Sequence, residues 1–146
     1  MIKRLVLVII GILTINGVFA QDWQKDIEKA KEIAANENKT IVLVFQGSDW
    51  CAPCIRLDRE VWSTDTFKAY AKDNFVMLQA DFPRKKKNAL PEIQAVENAE
   101  LAEKYNKKGI FPFVVVMDKD GNTLGETGYK KVSPEAYIKI LNSIKD

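Results

Sequence analysis

The 2 cysteines of the chain, Cys51 and Cys54, are separated by only two residues. The preceding residues, Thr40 to Phe45, form an apolar and largely β-branched run that predicts a buried strand. The residues from Ile55 to Trp62 predict a helix. Cys51 would therefore lie at a helix N-terminus, where unpaired N–H groups and the helix dipole favour thiolate over thiol. This arrangement suits a pair that alternates between dithiol and disulfide.

Two other uses of the cysteine pair stay open. A structural zinc site takes four Cys or His ligands, and the chain has 2 Cys and no His. A carboxylate or a second chain would have to complete such a site. A purely structural disulfide would close a very small loop, and in the chain-entropy model stabilisation grows with loop length. The sequence therefore favours redox chemistry, and we expect neither a metal nor a cofactor.

The composition argues against several other functions. Without histidine, Ser-His-Asp and Cys-His catalysis are both excluded. Removal of the N-terminal Lys3 and Arg4 lowers the 22 Lys and Arg to 20, which equals the 20 Asp and Glu. A balanced chain gives no support for nucleic-acid binding. Arg84 to Lys87 form a cationic run that could attract an acidic partner, but the sequence alone favours a solvated loop.

The first 20 residues have the three parts of a secretory signal peptide. Lys3 and Arg4 are basic, Leu5 to Ile15 are apolar, and Val18-Phe19-Ala20 has a small-x-small cleavage pattern. The apolar run is short for a transmembrane helix, so we expect no stable membrane span after cleavage. Export, most simply to a bacterial periplasm, would place residues 21–146 in an oxidising compartment. A reductant there needs a specific electron-donor thiol protein.

The rest of the chain predicts alternating helices and strands in a single domain. In order, we expect a helix capped by Asp22 and running to about Asn36, strand 40–45, helix 55–62, a short helix capped by Ser63-Thr64-Asp65, strand 75–81, a polar loop 82–91, a helix from about 92 to 106 ended by Gly109, strand 113–117, strand 123–128, and a helix opened by Ser133 and Pro134. This order predicts a three-layer α/β/α sandwich around a mixed sheet.

Three segments resemble the thioredoxin superfamily: Phe45 to Cys54, Leu101 to Pro112, and the turn Asp118 to Gly121. Their order and spacing identify residues 21–146 as similar to secreted bacterial thioredoxin-like thiol–disulfide oxidoreductases. The long loop after residue 81 is most similar to thioredoxin-like domains such as the C-terminal domain of DsbD. The resemblance implies a thioredoxin-like fold with a central mixed sheet.

The resemblance also implies roles for particular residues. Cys51, which we expect to be the exposed thiol of low pKa, would attack a substrate disulfide, and the buried Cys54 would resolve the mixed disulfide. Pro112 would be the cis-proline that faces the cysteines and leaves the backbone at Phe111 free to pair with substrate. The expected substrate-binding residues are Trp50, Pro53, Phe111 and Pro112.

The strand before the cysteines lacks the buried acid that many thioredoxins carry there. Asp58 follows Cys54 by four residues and Cys51 by seven, so the three share one helix face. The resemblance to DsbD-like domains also places a carboxylate at this position. Asp58 is therefore a candidate acceptor for the Cys54 proton. The alternative is a surface aspartate that is solvated or paired with a cation such as Arg56 or Arg59.

The predicted function is reduction or isomerisation of disulfides in exported proteins by a monomeric enzyme. Its partners would be protein disulfide substrates and an electron-donor thiol protein. The Ala-Pro between the cysteines lacks the histidine of strongly oxidising members of the superfamily, so reductase or isomerase activity is favoured over oxidase activity. The alternative is a non-enzymatic binding or chaperone module, which the missing buried acid favours.

Overall fold

The computed structural model describes residues 20–146. The predicted signal peptide therefore lies outside the described residues, apart from Ala20. The strands are β1 (Trp23–Gln24), β2 (Thr40–Gln46), β3 (Phe75–Asp81), β4 (Phe113–Met117) and β5 (Thr123–Thr127). The helices are α1 (Ile27–Glu37), α2 (Ala52–Leu57), α3 (Asp65–Asn74), α4 (Glu92–Tyr105) and α5 (Pro134–Lys145). In this part of the chain, no helix combines the length and apolarity needed to cross a membrane.

The five strands form one mixed sheet in the order β1-β3-β2-β4-β5. β2 and β3 run parallel, in register from Thr40 opposite Phe75 to Gln46 opposite Asp81. β4 runs antiparallel to β2 and pairs Phe113 with Phe45. The carboxyl ends of β2 and β3 and the start of β4 therefore meet at the same end of the sheet. The cysteine segment leaves β2 at this end.

Helices cover both faces of the sheet. Alternate residues of β2 point to opposite faces. Ile41, Leu43 and Phe45 pack with residues of α1 and α4 in one apolar cluster. Val42 and Val44 pack in a second cluster with residues of α2, α3 and α5. Burial on both faces explains why β2 is apolar from Ile41 to Phe45, and the predicted three-layer α/β/α sandwich is confirmed.

The N-terminal helix begins later than predicted. Trp23 and Gln24 form β1, which pairs in parallel with β3, so Asp22 precedes a strand and caps no helix. Asp26 is the N-cap instead, and its carboxylate accepts hydrogen bonds from the backbone N–H groups of Glu28 at 2.8 Å and Lys29 at 3.3 Å. The prediction of Asp22 as the cap was wrong because a strand of two residues is too short to produce a visible periodicity.

The helix that follows the cysteines also differs from the prediction. It begins at Ala52, and Pro53 lies in its first turn, where a missing N–H costs nothing. From Asp58 to Trp62 it continues as a π-helix, and the Ser63 N–H donates to the Asp58 carbonyl at 2.8 Å. π-Helical segments within an α-helix occur often at functional sites.

Asn106 and not Gly109 is the C-cap of α4, and its backbone N–H donates to the Ala102 carbonyl. The helix ends at Tyr105, and the Asn106 side chain accepts from the Ile110 N–H at 3.0 Å and donates to the Ile110 carbonyl at 2.9 Å. Gly109, at φ 63°, belongs to the following turn. The predicted glycine cap is therefore wrong, since the buried Asn106 closes the loop that leads to Pro112.

Candidate redox-active site

Cys51 and Cys54 form a disulfide bond at the start of α2, with their Cα atoms 5.2 Å apart. Cys51 is the N-cap of α2, and the Cys54 N–H points at its sulfur at 3.3 Å. A sulfur in this position accepts a helix N–H and lies at the positive end of the helix dipole. In the reduced protein this environment stabilises negative charge on Cys51, which is the requirement for a nucleophilic thiolate.

Both cysteines are buried in the disulfide form. Cys51 is 4% exposed and Cys54 is 3% exposed, so neither residue is exposed in this state. The expected exposure of the Cys51 thiol concerns the reduced protein and stays a prediction. The N–H groups of Trp50 and Cys51 both donate to the Gly47 carbonyl, at 3.3 Å and 2.9 Å. This tight turn draws Cys51 back towards the end of β2 and away from solvent.

The Phe111–Pro112 peptide bond is cis, as the resemblance implied. Pro112 is buried directly before β4, at the end of the sheet from which the cysteine segment projects. The Phe111 ring lies 5.6 Å from the Trp50 ring and 5.5 Å from the Phe82 ring, measured between centroids. These ring contacts bring the segment before Pro112 against the loop that carries Cys51.

Trp50 joins the cysteine loop to the loop that follows β3. Its indole N–H donates to the Phe82 carbonyl at 2.7 Å, and the Arg84 guanidinium carbon lies 3.7 Å from the centre of its ring. A Cβ atom on residue 47 would overlap the indole, so Gly47 is needed for this close approach. Trp50 is half-buried, and its ring neighbour Phe111 is itself packed against the apolar cluster that contains Phe45.

Asp49 holds the second loop through its carboxylate. It accepts hydrogen bonds from the N–H groups of Arg84 at 2.9 Å and Lys85 at 3.0 Å, and from the Asn88 side-chain amide at 2.9 Å. The Arg84 N–H, followed by the Asn88 amide, lowers the pKa of Asp49 from its ordinary 3.8 to about 2. This role of Asp49 is not predictable from the sequence, because no local pattern connects Asp49 to a loop 35 residues away.

Asp58 and Cys54 line the same small cavity, whose volume is about 170 Å³. Gln46, Ser48 and Gln79 add polar groups to its wall. The Asp58 carboxylate is exposed and accepts a hydrogen bond from the Ser63 hydroxyl at 3.0 Å. Its hydrogen-bond partner is thus Ser63 and not Arg56 or Arg59. Cys54 and a carboxylate-bearing residue therefore border the same space.

Among residues 20–146, no group of three or more Cys, His, Asp or Glu is arranged to hold a metal ion.

The central residues of β2 are buried and apolar through Phe45. The polar groups behind the cysteines are therefore supplied by Gln46, Gln79 and Asp58 rather than by an acid within the strand.

Comparisons with known proteins agree with this geometry. A family model described as thioredoxin-like matches residues 22–119. The disulfide bond reductase DsbH of Chlamydia pneumoniae is 35% identical over 124 residues, which cover 84% of this chain and 72% of that protein. A solved structure of a DsbH oxidoreductase superimposes with a TM-score of 0.77 at 33% identity, covering 84% of this chain and 83% of that one.

More distant structures share the fold. The disulphide isomerase from Xylella fastidiosa Temecula1 gives a TM-score of 0.61 at 22% identity, covering 82% of this chain and 88% of that one. The C-terminal domain of Neisseria meningitidis DsbD gives 0.51 at 19% identity, covering 80% of this chain and 91% of that one. With its cysteine disulfide, its mixed five-stranded sheet and its homology to DsbH, the chain belongs to the thioredoxin-like family.

Proposed function

We propose that this thiol–disulfide oxidoreductase works as a reductase of disulfides in exported proteins, with disulfide isomerisation as a second outcome of the same chemistry. The observation that carries the proposal is the Cys51–Cys54 disulfide at the N-terminus of α2, in a chain homologous to a protein named as a disulfide bond reductase. A pair that is seen oxidised, with its first sulfur facing a helix N–H, is suited to cycle between the two redox states.

The proposed reaction transfers two electrons from the cysteine pair to the substrate disulfide. In the reduced protein, the Cys51 thiolate attacks one sulfur of a substrate disulfide, and the other substrate sulfur leaves as a thiolate that takes up a proton. Cys54 then loses its proton and attacks the Cys51 sulfur of the mixed disulfide, which releases the second substrate thiol. Two electrons have passed to the substrate, and the Cys51–Cys54 disulfide remains. An external dithiol protein must reduce it again.

Asp58 is our candidate for the group that takes the Cys54 proton. The cavity that it shares with Cys54 supports this role, since a carboxylate can accept a proton through one intervening water. Its exposure allows the proton to continue to bulk solvent. The hydrogen bond from Ser63 holds the carboxylate at the π-helix rather than letting it turn freely into water.

The substrate would lie across Trp50, Pro53, Phe111 and Pro112. The Trp50 and Phe111 rings form a continuous aromatic surface beside Cys51. Pro112 lacks an N–H group and β4 begins only at Phe113, so the Phe111 backbone would be able to bind an extended substrate segment by strand addition. Pro53 lies between the two cysteines in the first turn of α2, and its partly exposed ring would complete this surface.

The cellular setting is part of the same proposal. Residues 1–20 would direct export and be removed, and residues 21–146 would act as a monomeric domain in the periplasm. The pattern of Lys3 and Arg4, an apolar run and Val18-Phe19-Ala20 supports this assignment. In an oxidising compartment the pair would be returned to the dithiol by an electron-donor thiol protein.

An insulin-reduction assay with dithiothreitol tests the activity. The wild-type protein should accelerate reduction over dithiothreitol alone, whereas Cys51→Ser should have no effect, because it lacks the attacking sulfur. Cys54→Ser should instead accumulate a mixed disulfide that is visible by mass spectrometry. Acceleration by Cys51→Ser equal to that of wild type would contradict the proposed roles.

The alternative is a binding or chaperone module that uses the same surface without turnover. The absence of an acid within β2 favours it, because proton transfer to and from Cys54 then depends on the exposed Asp58. Wild-type protein that gives no acceleration of insulin reduction, but suppresses aggregation of the reduced insulin chains, would support the alternative.

A further inference from the structure

A strongly cationic segment lies beside the candidate active site. We call Arg84, Lys85, Lys86 and Lys87 the basic rim. Its side chains are exposed, and the Arg84 guanidinium carbon lies 3.7 Å from the centre of the Trp50 ring. Trp50 directly precedes Cys51. The basic rim therefore adjoins the surface over which a substrate would approach the reactive sulfur.

The backbone of the basic rim is fixed to the cysteine loop. The Asp49 carboxylate binds the N–H groups of Arg84 and Lys85 and the amide of Asn88, which follows the rim. The Trp50 indole binds the carbonyl of Phe82, which precedes the rim. Both ends of the segment are thus tied to residues 49 and 50. A partner that binds a pre-positioned segment loses less conformational entropy than one that must order a free loop.

The charge of the basic rim is not cancelled by ion pairs. Within residues 20–146, the ion pairs found lie on α1 or directly after it, and none includes a residue of the rim: Lys29 with Glu32, Lys31 with Glu28, and Lys39 with Glu37. Of the nearby carboxylates, Asp49 is engaged by the rim's own backbone and Asp81 by Ser48. The rim thus presents four cations near two carboxylates, Asp49 and Asp81, although residues 21–146 carry balanced charge.

We propose that the basic rim selects substrates whose disulfide cysteine is flanked by aspartate or glutamate. This inference rests on the proposed function and names its substrate class. An acidic side chain a few residues from the substrate cysteine would reach the rim while the cysteine reaches Cys51, because an extended chain advances about 3.3 Å per residue. The cations would raise the encounter rate of such a segment and repel segments that carry lysine or arginine.

If the basic rim were only a solvated loop, as the sequence alone favours, its charge would not affect the rate of substrate reduction. Cations on a free loop would be screened and indifferent to the substrate held at Cys51. Cations of a segment that is tied to residues 49 and 50, with Arg84 over the Trp50 ring, would act at short range on the bound segment. The two cases differ in whether the charge beside the substrate cysteine changes the rate of its reduction.

The test compares three disulfide-bonded peptides that differ only in the residues next to one cysteine, which are Glu, Gln or Lys. Reduction is followed with the protein kept reduced by a neutral dithiol. At about 20 mM salt, kcat/KM should fall from the Glu to the Gln to the Lys peptide, with about tenfold between the first and the last, and at about 500 mM salt the difference should nearly vanish.

A triple variant separates the rim from the overall charge. Lys85→Gln, Lys86→Gln and Lys87→Gln together keep every backbone N–H that binds Asp49 and remove three charges. The matched control replaces three exposed lysines away from the cysteines, Lys119, Lys139 and Lys145, by Gln. The rim variant should lose most of the preference for the Glu peptide with an unchanged rate on the Gln peptide. The control variant should keep the preference.

Equal rates of the wild-type protein on all three peptides would overturn the inference, and so would a preference that persists in the rim variant or disappears in the control. The proposed function fails by a different result, namely no reduction of any peptide. In that case, the acidic preference is tested by binding alone. Tryptophan fluorescence measures the affinity of the protein for peptides that carry serine in place of cysteine. Tighter binding of the Glu peptide that is lost in the rim variant supports the acidic preference, and equal affinities overturn it.

Discussion

At the scale of single residues, the proposed chemistry depends on the positions of the Cys51 and Cys54 sulfurs and of the Asp58 carboxylate. The N-cap position of Cys51 gives its sulfur an N–H partner, from Cys54, that a sulfur elsewhere in the helix would lack. Cys54 instead faces a cavity that also contains Asp58. The two cysteines therefore differ in electrostatic environment although they are equally buried in the disulfide form.

Asp58→Asn should slow resolution of the mixed disulfide by about tenfold, since this is the low end of general acid–base effects. The amide cannot accept the Cys54 proton, while its size and its hydrogen bond to Ser63 are retained, so folding stability should barely change. Single-turnover kinetics with a mixed-disulfide intermediate would measure the resolution step.

Asp73→Asn is the matched control for this prediction, because Asp73 is an exposed aspartate on α3 that does not line the cavity. It should react at the wild-type rate. If Asp58→Asn also matches wild type throughout a range of about pH 6 to 9, proton transfer from Cys54 does not depend on Asp58.

At the scale of secondary-structure elements, the site is an assembly of loops at one end of the sheet. β2 delivers the cysteine loop, β3 delivers the loop that holds the basic rim, and β4 begins directly after Pro112. Asp49, Trp50 and Phe111 tie these three segments together through hydrogen bonds and ring contacts. The mutual orientation of the segments is consequently set by side chains as well as by the strands.

Asp49 should make the attachment of the second loop dependent on pH. Its folded-state pKa of about 2 lies below the ordinary 3.8, so its contribution to stability is complete above the ordinary value and is lost as the pH falls from about 4 to about 2. Asp49→Asn should be less stable than wild type by an amount that is constant above about pH 5 and shrinks below about pH 4.

Denaturant unfolding of both proteins across this pH range measures that difference, and Asp120→Asn is the control, because Asp120 is exposed in the turn between β4 and β5. The control should show no comparable change with pH. A stability difference for Asp49→Asn that is unaltered down to about pH 2.5 would show that the carboxylate charge does not hold the loop.

At the scale of the whole molecule, one thioredoxin-like fold contains both the cysteine pair and the surface proposed to bind substrate. Trp62 lies at the centre of the cluster beneath α2, with ring centroids 6.2 Å from Trp23, 4.8 Å from Phe67 and 5.2 Å from Tyr137. This cluster joins the π-helix to α3, α5 and β1. The π-helix that continues the cysteine-bearing helix is thereby packed against the core.

The whole chain should be exported and lose its first 20 residues. The mature protein from its native host should begin at Gln21, because the Val18-Phe19-Ala20 pattern predicts cleavage after Ala20. Mass spectrometry of the protein from a periplasmic fraction measures this. An intact Met1, or recovery from the cytoplasm alone, would contradict the assignment.

Most strands and the reactive pair were predictable from the sequence because their signals are local. The apolar runs at 40–45, 75–81 and 113–117 each mark a strand to within a residue, since strands buried on both faces need continuous apolar residues. The spacing of Cys51 and Cys54 by itself indicates a redox pair. Ser133 and Pro134 likewise mark the start of α5 without any tertiary contact.

Only the tertiary structure decided which distant residues surround that pair. The two residues of β1 count as a strand only because β3 lies beside them. Asp49 and the basic rim are 35 residues apart in the sequence, where the run of cations indicates only a solvated loop. In the structure, the hydrogen bond to Asp49 holds the backbone of Arg84, whose guanidinium lies over the Trp50 ring. The sequence by itself determined the fold class and the reactive sulfurs, because periodicity and spacing act within one element. Their surroundings depend on contacts between elements, which no local pattern records.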